Sequence, residues 1–229
     1  MSDYKAQRFL MVDLDSLGYP EFCASIWAPE EKLGNCLLAK QIAHSALGLA
    51  GEYFEFKWLK ARSLEDGSAL WKEAGDVLYY CVVHLQAVRN IKQVEEIAGP
   101  ELYPMTIPLR IESFAESPHE TSELVETAIM NLTEAAKKYY YAGKTLPPYH
   151  VHQTWVGQIL AAVINTIAAE YFMQMDVNVT QASVLKKIAK FNQEKLSGRY
   201  ASGTFNAQEA IARADTQTES QPAKENNDG

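Results

Sequence analysis

The chain has 229 residues, 47% of them hydrophobic, and a formal net charge of −8. That length allows one or two domains with a sizeable core. The acidic balance excludes a general binder of duplex nucleic acid, which needs a basic surface. Three cysteines, Cys23, Cys36 and Cys81, sit at unrelated spacings. Without a disulfide framework they read as small buried hydrophobes in a reducing cytoplasm. No stretch reads as a signal peptide, and no apolar run approaches the ~18 residues of a membrane span, so no membrane contact is expected.

In chain order, residues 1–35 form a mixed N-terminal arm punctuated by Pro20, Pro29 and Gly34, with Asp13, Asp15 and Ser16 as turn formers. Phe22 and Trp27 are expected to dock it on the body. No chemistry is assigned to it. The run APEEKLGNCLLAK is able to begin a helix, with Pro29 near its first turn. A first long helix follows from about Cys36 to Ala61. On it His44, Gly48, Gly51, Glu52, Glu55 and Leu59 share one stripe at helical period. Leu47, Ala50, Phe54 and Trp58 form the adjacent apolar stripe, expected to be buried, while Lys57 and Lys60 fall on the outer side. Residues 62–68 connect to a second helix, about Ala69–Arg89, whose stripe is Ala69, Glu73, Asp76, Tyr80, Val83 and Ala87. Residues 98–120 read as a linker, because Pro100, Pro104, Pro108 and Pro118 break any helix. Further helices are expected over about Thr121–Ala142, His152–Met175 and Gln181–Arg199, with Pro147 and Pro148 marking the turn between the first two. A polar tail beyond about residue 206 is expected to be disordered.

The chemistry concentrates between His44 and His84. Glu52 and Glu55 form an E-x-x-E pair, and Glu73 and Asp76 an E-x-x-D pair. Residues three apart project from one helical face. Residues 56–72 suffice for one helix to end and a second to return, setting four carboxylates across a helix pair. An acid on an otherwise apolar face is costly unless paired, protonated or metal-bound. Four oxygen ligands suit Mg²⁺, with Mn²⁺ as the alternative. A di-iron bundle would need Glu-x-x-His pairs on two helices. Glu116 and His119 have that spacing, but Pro118 lies between them. His44, His84, His119, His150 and His152 therefore read as structural or surface groups. Nucleophile elbows and phosphate-binding glycine loops are absent.

The second half reads as a faded copy of the first. SALGLAGEYFEFKWLKA aligns with TAIMNLTEAAKKYYYAG, which puts Glu134 opposite Glu52 and Lys137 opposite Glu55. Gln158 and Ala161 then stand opposite Glu73 and Asp76. One metal cluster per chain is expected, with Leu132, Ala136, Tyr139, Tyr140, Ile159, Val163 and Ile167 supplying cover. Two related helix pairs would pack as a four-helix bundle, so the fold class is all-α: a four-helix core plus a C-terminal helix.

GLAGEYFE followed by EAGDVLYY resembles the MazG-like, all-α nucleoside triphosphate pyrophosphohydrolases, a family defined by E-x-x-E and E-x-x-D on adjacent helices. NQEKLSGRYASGTF resembles the family's closing segment, through Asn192, Lys195, Leu196, Arg199, Tyr200, Gly203 and Phe205. The likeness covers about 44–90 and 185–215. It divides the chain into an arm (1–35), a catalytic MazG-like helix pair (36–97), a linker (98–120), a degenerate pair with closing helix (121–206) and a tail (207–229). The resemblance implies hydrolysis of a nucleoside triphosphate to the monophosphate and pyrophosphate. Glu52, Glu55, Glu73 and Asp76 would hold Mg²⁺ or Mn²⁺; Lys195 and Arg199 would bind phosphates, Asn192 base or sugar, and Tyr80 would join the substrate contacts. The family usually builds its bundle from several subunits, so a homo-oligomer is an expectation, although the long insertion between the motifs offers a partner's helices in cis. The alternative function is a nucleotide-sequestering or regulatory helical protein with little turnover.

Overall fold

The computed structural model describes residues 9–26, 37–61, 67–96, 105–110, 118–174 and 180–200. Among these the protein is all-α apart from one small sheet. Its helices are α1 (Tyr19–Ile26), α2 (Leu37–Ala61), α3 (Gly67–Glu96), α4 (Pro118–Ala142), α5 (Tyr149–Gln174) and α6 (Gln181–Arg199). α2 packs on α3 and α4, and α5 packs on the same two, so four helices close around one core. α6 lies against α3 and α5, and α1 against α3.

Local chemistry explains the helix ends. Proline is at the first position of α4, where its missing N–H is no loss. Gly143 follows the last residue with φ of 59°, the left-handed conformation that ends a helix without a Cβ penalty. Thr180 caps α6 in a reciprocal box: its side chain accepts from Ser183 N at 3.2 Å, and the Ser183 hydroxyl accepts from Thr180 N at 3.2 Å. The core is aliphatic, with Ile42, Leu49, Leu78, Leu85, Leu132 and Ile159 all buried. Each such side chain stabilises the fold by about 1.5–3 kcal/mol relative to exposure. Ala136, Val163 and Ile167 are buried as the sequence pattern implied.

Three sequence expectations need correction. On α2 the buried face is Ile42, Ala46, Leu49, Tyr53 and Phe56, whereas Leu47, Phe54 and Trp58 are exposed. The helix is apolar around most of its circumference, so periodicity offered two stripes and could not choose. Packing against α3 and α4 decides it. The arm and the linker also hold structure. Strand β1 (Phe9–Asp13) pairs antiparallel with β2 (Thr106–Arg110), Met11 standing opposite Pro108. Each strand is five residues long, too short for a legible alternation. Proline is tolerated because a two-stranded ribbon is all edge. β2 rests on α5: Gln153 Nε2 donates to Thr106 O at 2.5 Å, and a Cβ at Gly157 would meet Ile107 at 3.1 Å. Trp27, Cys36, residues 28–35, Glu116 and the tail lie outside the described residues.

Candidate metal centre

α2 carries Glu52 and Glu55 on one face, and α3 returns alongside it with Glu73. Carboxylate oxygens of these three all lie within 4.8 Å of one another. Glu52 and Glu73 are half-buried and Glu55 is exposed, so the cluster sits at the rim of the core. Burial, followed by the charges of Asp76, Glu55 and Glu73, pushes the Glu52 carboxyl up to about 7. Burial and then Asp76 raise Glu73 as well, while the Lys195 ammonium opposes both shifts. Burial is thus the first cause of both shifts and repulsion among the acids the second.

Asp76 is outside that grouping of three but acts on it: among the neighbouring charges, its charge is the largest on both Glu52 and Glu73. Asn192 Nδ2 donates to its Oδ1 at 3.0 Å, and the Lys195 ammonium pairs with its Oδ2. Three glutamates therefore converge, and the fourth acid adds its charge to them while its two oxygens contact Asn192 and Lys195 on α6. Asn192 and Lys195, more than a hundred positions away in sequence, contact Asp76. Gly75 makes that approach feasible, since a Cβ there would lie 2.8 Å from Asn192 Cβ. Gly48 does the same for Tyr80, whose Cδ1 would lie 2.5 Å from an added Cβ. Burial, then Glu52 and Asp76, raise the Tyr80 phenol to about 12, so it stays a neutral donor beside both carboxylates. Arg199 is close enough to Tyr79 and Tyr80 to pull both phenols back down. Gly203 and Phe205 lie outside the described residues.

The donor set fits a hard divalent cation. Three convergent carboxylates, with no sulfur or imidazole among them, match the oxygen-ligand preference of Mg²⁺ or Mn²⁺.

Sequence reasoning missed one member of the site's surroundings. Tyr19, in the arm to which no chemistry was assigned, is fully buried and donates its hydroxyl proton to Asn192 Oδ1. That bond spans 173 positions, and no local pattern signals it. The histidines divide differently. His84 and His152 are buried, with His84 Nδ1 2.9 Å from Ser45 Oγ and His84 Nε2 3.0 Å from His152 Nδ1. The acids take no part in that chain.

The second half carries no comparable cluster among its described residues. Glu134 is held by Lys137 and Lys138, each at 3.4 Å, and both lysines keep its carboxyl below the usual range. The buried faces superpose one residue out of phase with the alignment above. Ile42, Ser45, Ala46, Leu49 and Tyr53 correspond to Val125, Ala128, Ile129, Leu132 and Ala136, so Glu52 corresponds to Ala135. A cavity of about 750 Å³ opens between α2 and α4, lined by Lys40, Leu47, Met130, Lys137, Tyr140 and Tyr141 among others, and by none of the four candidate acids.

Family models, curated proteins and solved structures were compared with the chain, and none matches. Among the described residues no helix is long and apolar enough to cross a membrane. Fold and site together define an all-α protein with an acidic centre between α2, α3 and α6.

Proposed function

We propose that the protein is a Mg²⁺-dependent nucleoside triphosphate pyrophosphohydrolase of the MazG-like kind. One observation carries the reading: Asn192 and Lys195 of the C-terminal motif meet Asp76, the neighbour of a three-glutamate cluster. Both halves of the motif set therefore meet at one place. Glu52, Glu55 and Glu73 would hold the cation, and Asp76 would join them or orient Lys195. Bound there, Mg²⁺ would supply Lewis-acid polarisation of phosphate oxygens and offset developing charge.

The chain's own groups do the rest. Lys195 and Arg199, one helical turn apart on α6, bind phosphate oxygens through charge-assisted hydrogen bonds. Tyr80 donates from the α3 side. One carboxylate of the set takes the proton of the water that attacks the α-phosphorus. Little covalent work falls to the protein, so positioning and charge dominate. The site is proposed to be complete within one chain, because its four-helix core needs no helix from a second copy.

A panel of nucleoside triphosphates incubated with Mg²⁺, scored for pyrophosphate against orthophosphate, tests the reading. Pyrophosphate and monophosphate in equal amounts are expected. Tight nucleotide binding without either product would point to a sequestering protein instead.

A further inference from the structure

We propose that Tyr19 is a positioning residue of this centre: its hydroxyl fixes the Asn192 carboxamide, and through it the direction in which Asp76 presents its carboxylate. The inference deepens the reading above and rests on it for the role of Asp76.

The chain of contacts is directional. Tyr19 and Asn192 have no exposed surface, and buried polar groups must find partners inside the protein. A carboxamide has an accepting end and a donating end. The Tyr19 hydroxyl donates to Oδ1, which leaves Nδ2 to donate to Asp76 Oδ1 at 3.0 Å. A flipped amide would set its oxygen against the carboxylate, two acceptors facing each other. With Asn192 on one oxygen and Lys195 on the other, Asp76 is held at both ends. Its orientation is therefore set by α6, and the orientation of α6's amide by α1.

The arm is built to hold that hydroxyl still. Gln86 Nε2, on α3, donates to Pro20 O at 2.7 Å, tying α1 to the helix that carries Asp76. The Tyr19 ring stacks on Phe22 with centroids 6.0 Å apart. Burial keeps the phenol neutral, and thus a donor, across the physiological range. The ring alone would fill the space equally well as phenylalanine. What tyrosine adds is a hydroxyl that donates to the Asn192 amide and also lies within hydrogen-bonding reach of the Cys23 thiol. Gly75, beside Asp76, leaves room for Asn192 to reach the carboxylate, as noted above.

Tyr19→Phe keeps the ring and removes the hydroxyl. In ion-free protein, the ¹⁵N-labelled Asn192 side-chain NH₂ (identified by its loss in Asn192→Ala) is expected to be protected from exchange and to shift in Asp76→Asn. In Tyr19→Phe its exchange should quicken by about tenfold, the value of one hydrogen bond to a charged-group network, with backbone amide shifts elsewhere unchanged. Mn²⁺ affinity should change by up to the same factor in Tyr19→Phe, and should not change further when Tyr19→Phe is added to Asp76→Asn. An unmoved Asn192 amide overturns the proposal. So does an equal change of Mn²⁺ affinity with and without Asp76, which marks a general structural effect. A wild-type chain that binds no Mn²⁺ removes the metal reading, while the ion-free amide measurement still decides the role of Tyr19. If Tyr19→Phe does not fold, 3-fluorotyrosine at position 19 keeps the hydroxyl and alters its acidity. The Asn192 amide resonance must then move, and a stationary one refutes the link.

Discussion

Replacing Lys195 with methionine should tighten the binding of Mn²⁺ alone and weaken the binding of Mn²⁺ with a triphosphate. The ammonium pairs with Asp76 Oδ2, and its charge also lowers the proton affinity of Glu52 and Glu73. It acts on both glutamates, whereas Lys72 acts on Glu73. The Lys195 and Asp76 side chains are only 15% and 16% exposed, so water screens their attraction weakly. An entering metal ion must compete with an interaction of about 1.5–3 kcal/mol, the range for a hydrogen bond to a charged group. Removing that competitor should lower the Mn²⁺ dissociation constant by roughly ten- to a hundred-fold. In the ternary complex the same lysine is proposed to bind phosphate, so its loss should raise the Michaelis constant by a similar factor. Titration calorimetry with Mn²⁺, with and without a non-hydrolysable triphosphate, reads both changes. Weaker binding of the metal alone in Lys195→Met would refute the reasoning, because it would make the lysine a support of the ion site and not its competitor.

Three further outcomes are expected. Glu52→Gln should abolish hydrolysis with helical content intact; it should also stabilise the ion-free protein by about 1 kcal/mol, a figure kept small because the part-exposed carboxylate is screened. Circular dichroism and thermal melts read both, and full activity would sink the site. Gly75→Ala should destabilise the fold by about 1–3 kcal/mol through overpacking against Asn192, measurable by urea unfolding, and should lower ion affinity as well. The buried histidine pair makes the fold acid-sensitive. Burial, with Lys92, lowers His152 to about 4, and burial also lowers His84 well below its usual value. An unfolded histidine takes its proton near 6.5, so stability is present above that pH and is lost as pH falls toward 4. Between pH 6.5 and 5 the loss from His152 is about 2 kcal/mol. Glu52, raised to about 7, and Glu73, also raised, act in the opposite sense, and less strongly because both are part-exposed. Urea midpoints should therefore fall across this range, and a flat profile would contradict the burial argument.

How much the sequence disclosed depended on the range of the signal. α6 was legible, its expected span of about Gln181–Arg199 agreeing with the helix that the Thr180–Ser183 box starts. The convergence of Glu52, Glu55 and Glu73 was legible because i, i+3 spacing is local. The buried side of α2 was not legible, since Leu47, Phe54 and Trp58 make as good a stripe as Ile42, Leu49 and Phe56. The β1–β2 ribbon was hidden by strands of five residues interrupted by Pro108. Tyr19 was hidden by distance. The contacts of Asp76 with Asn192 and Lys195 were also invisible, because spacing places carboxylates on a face but does not say which way each turns. That depends on the partners α6 brings.

The central claim is tested most directly by hydrolysis in oxygen-18 water with Mg²⁺ and a nucleoside triphosphate, followed by mass spectrometry of both products. The account predicts one heavy oxygen in the monophosphate and none in pyrophosphate, since water attacks the α-phosphorus, and loss of both products in Glu52→Gln. Label in pyrophosphate or orthophosphate, or unchanged turnover in Glu52→Gln, would contradict it.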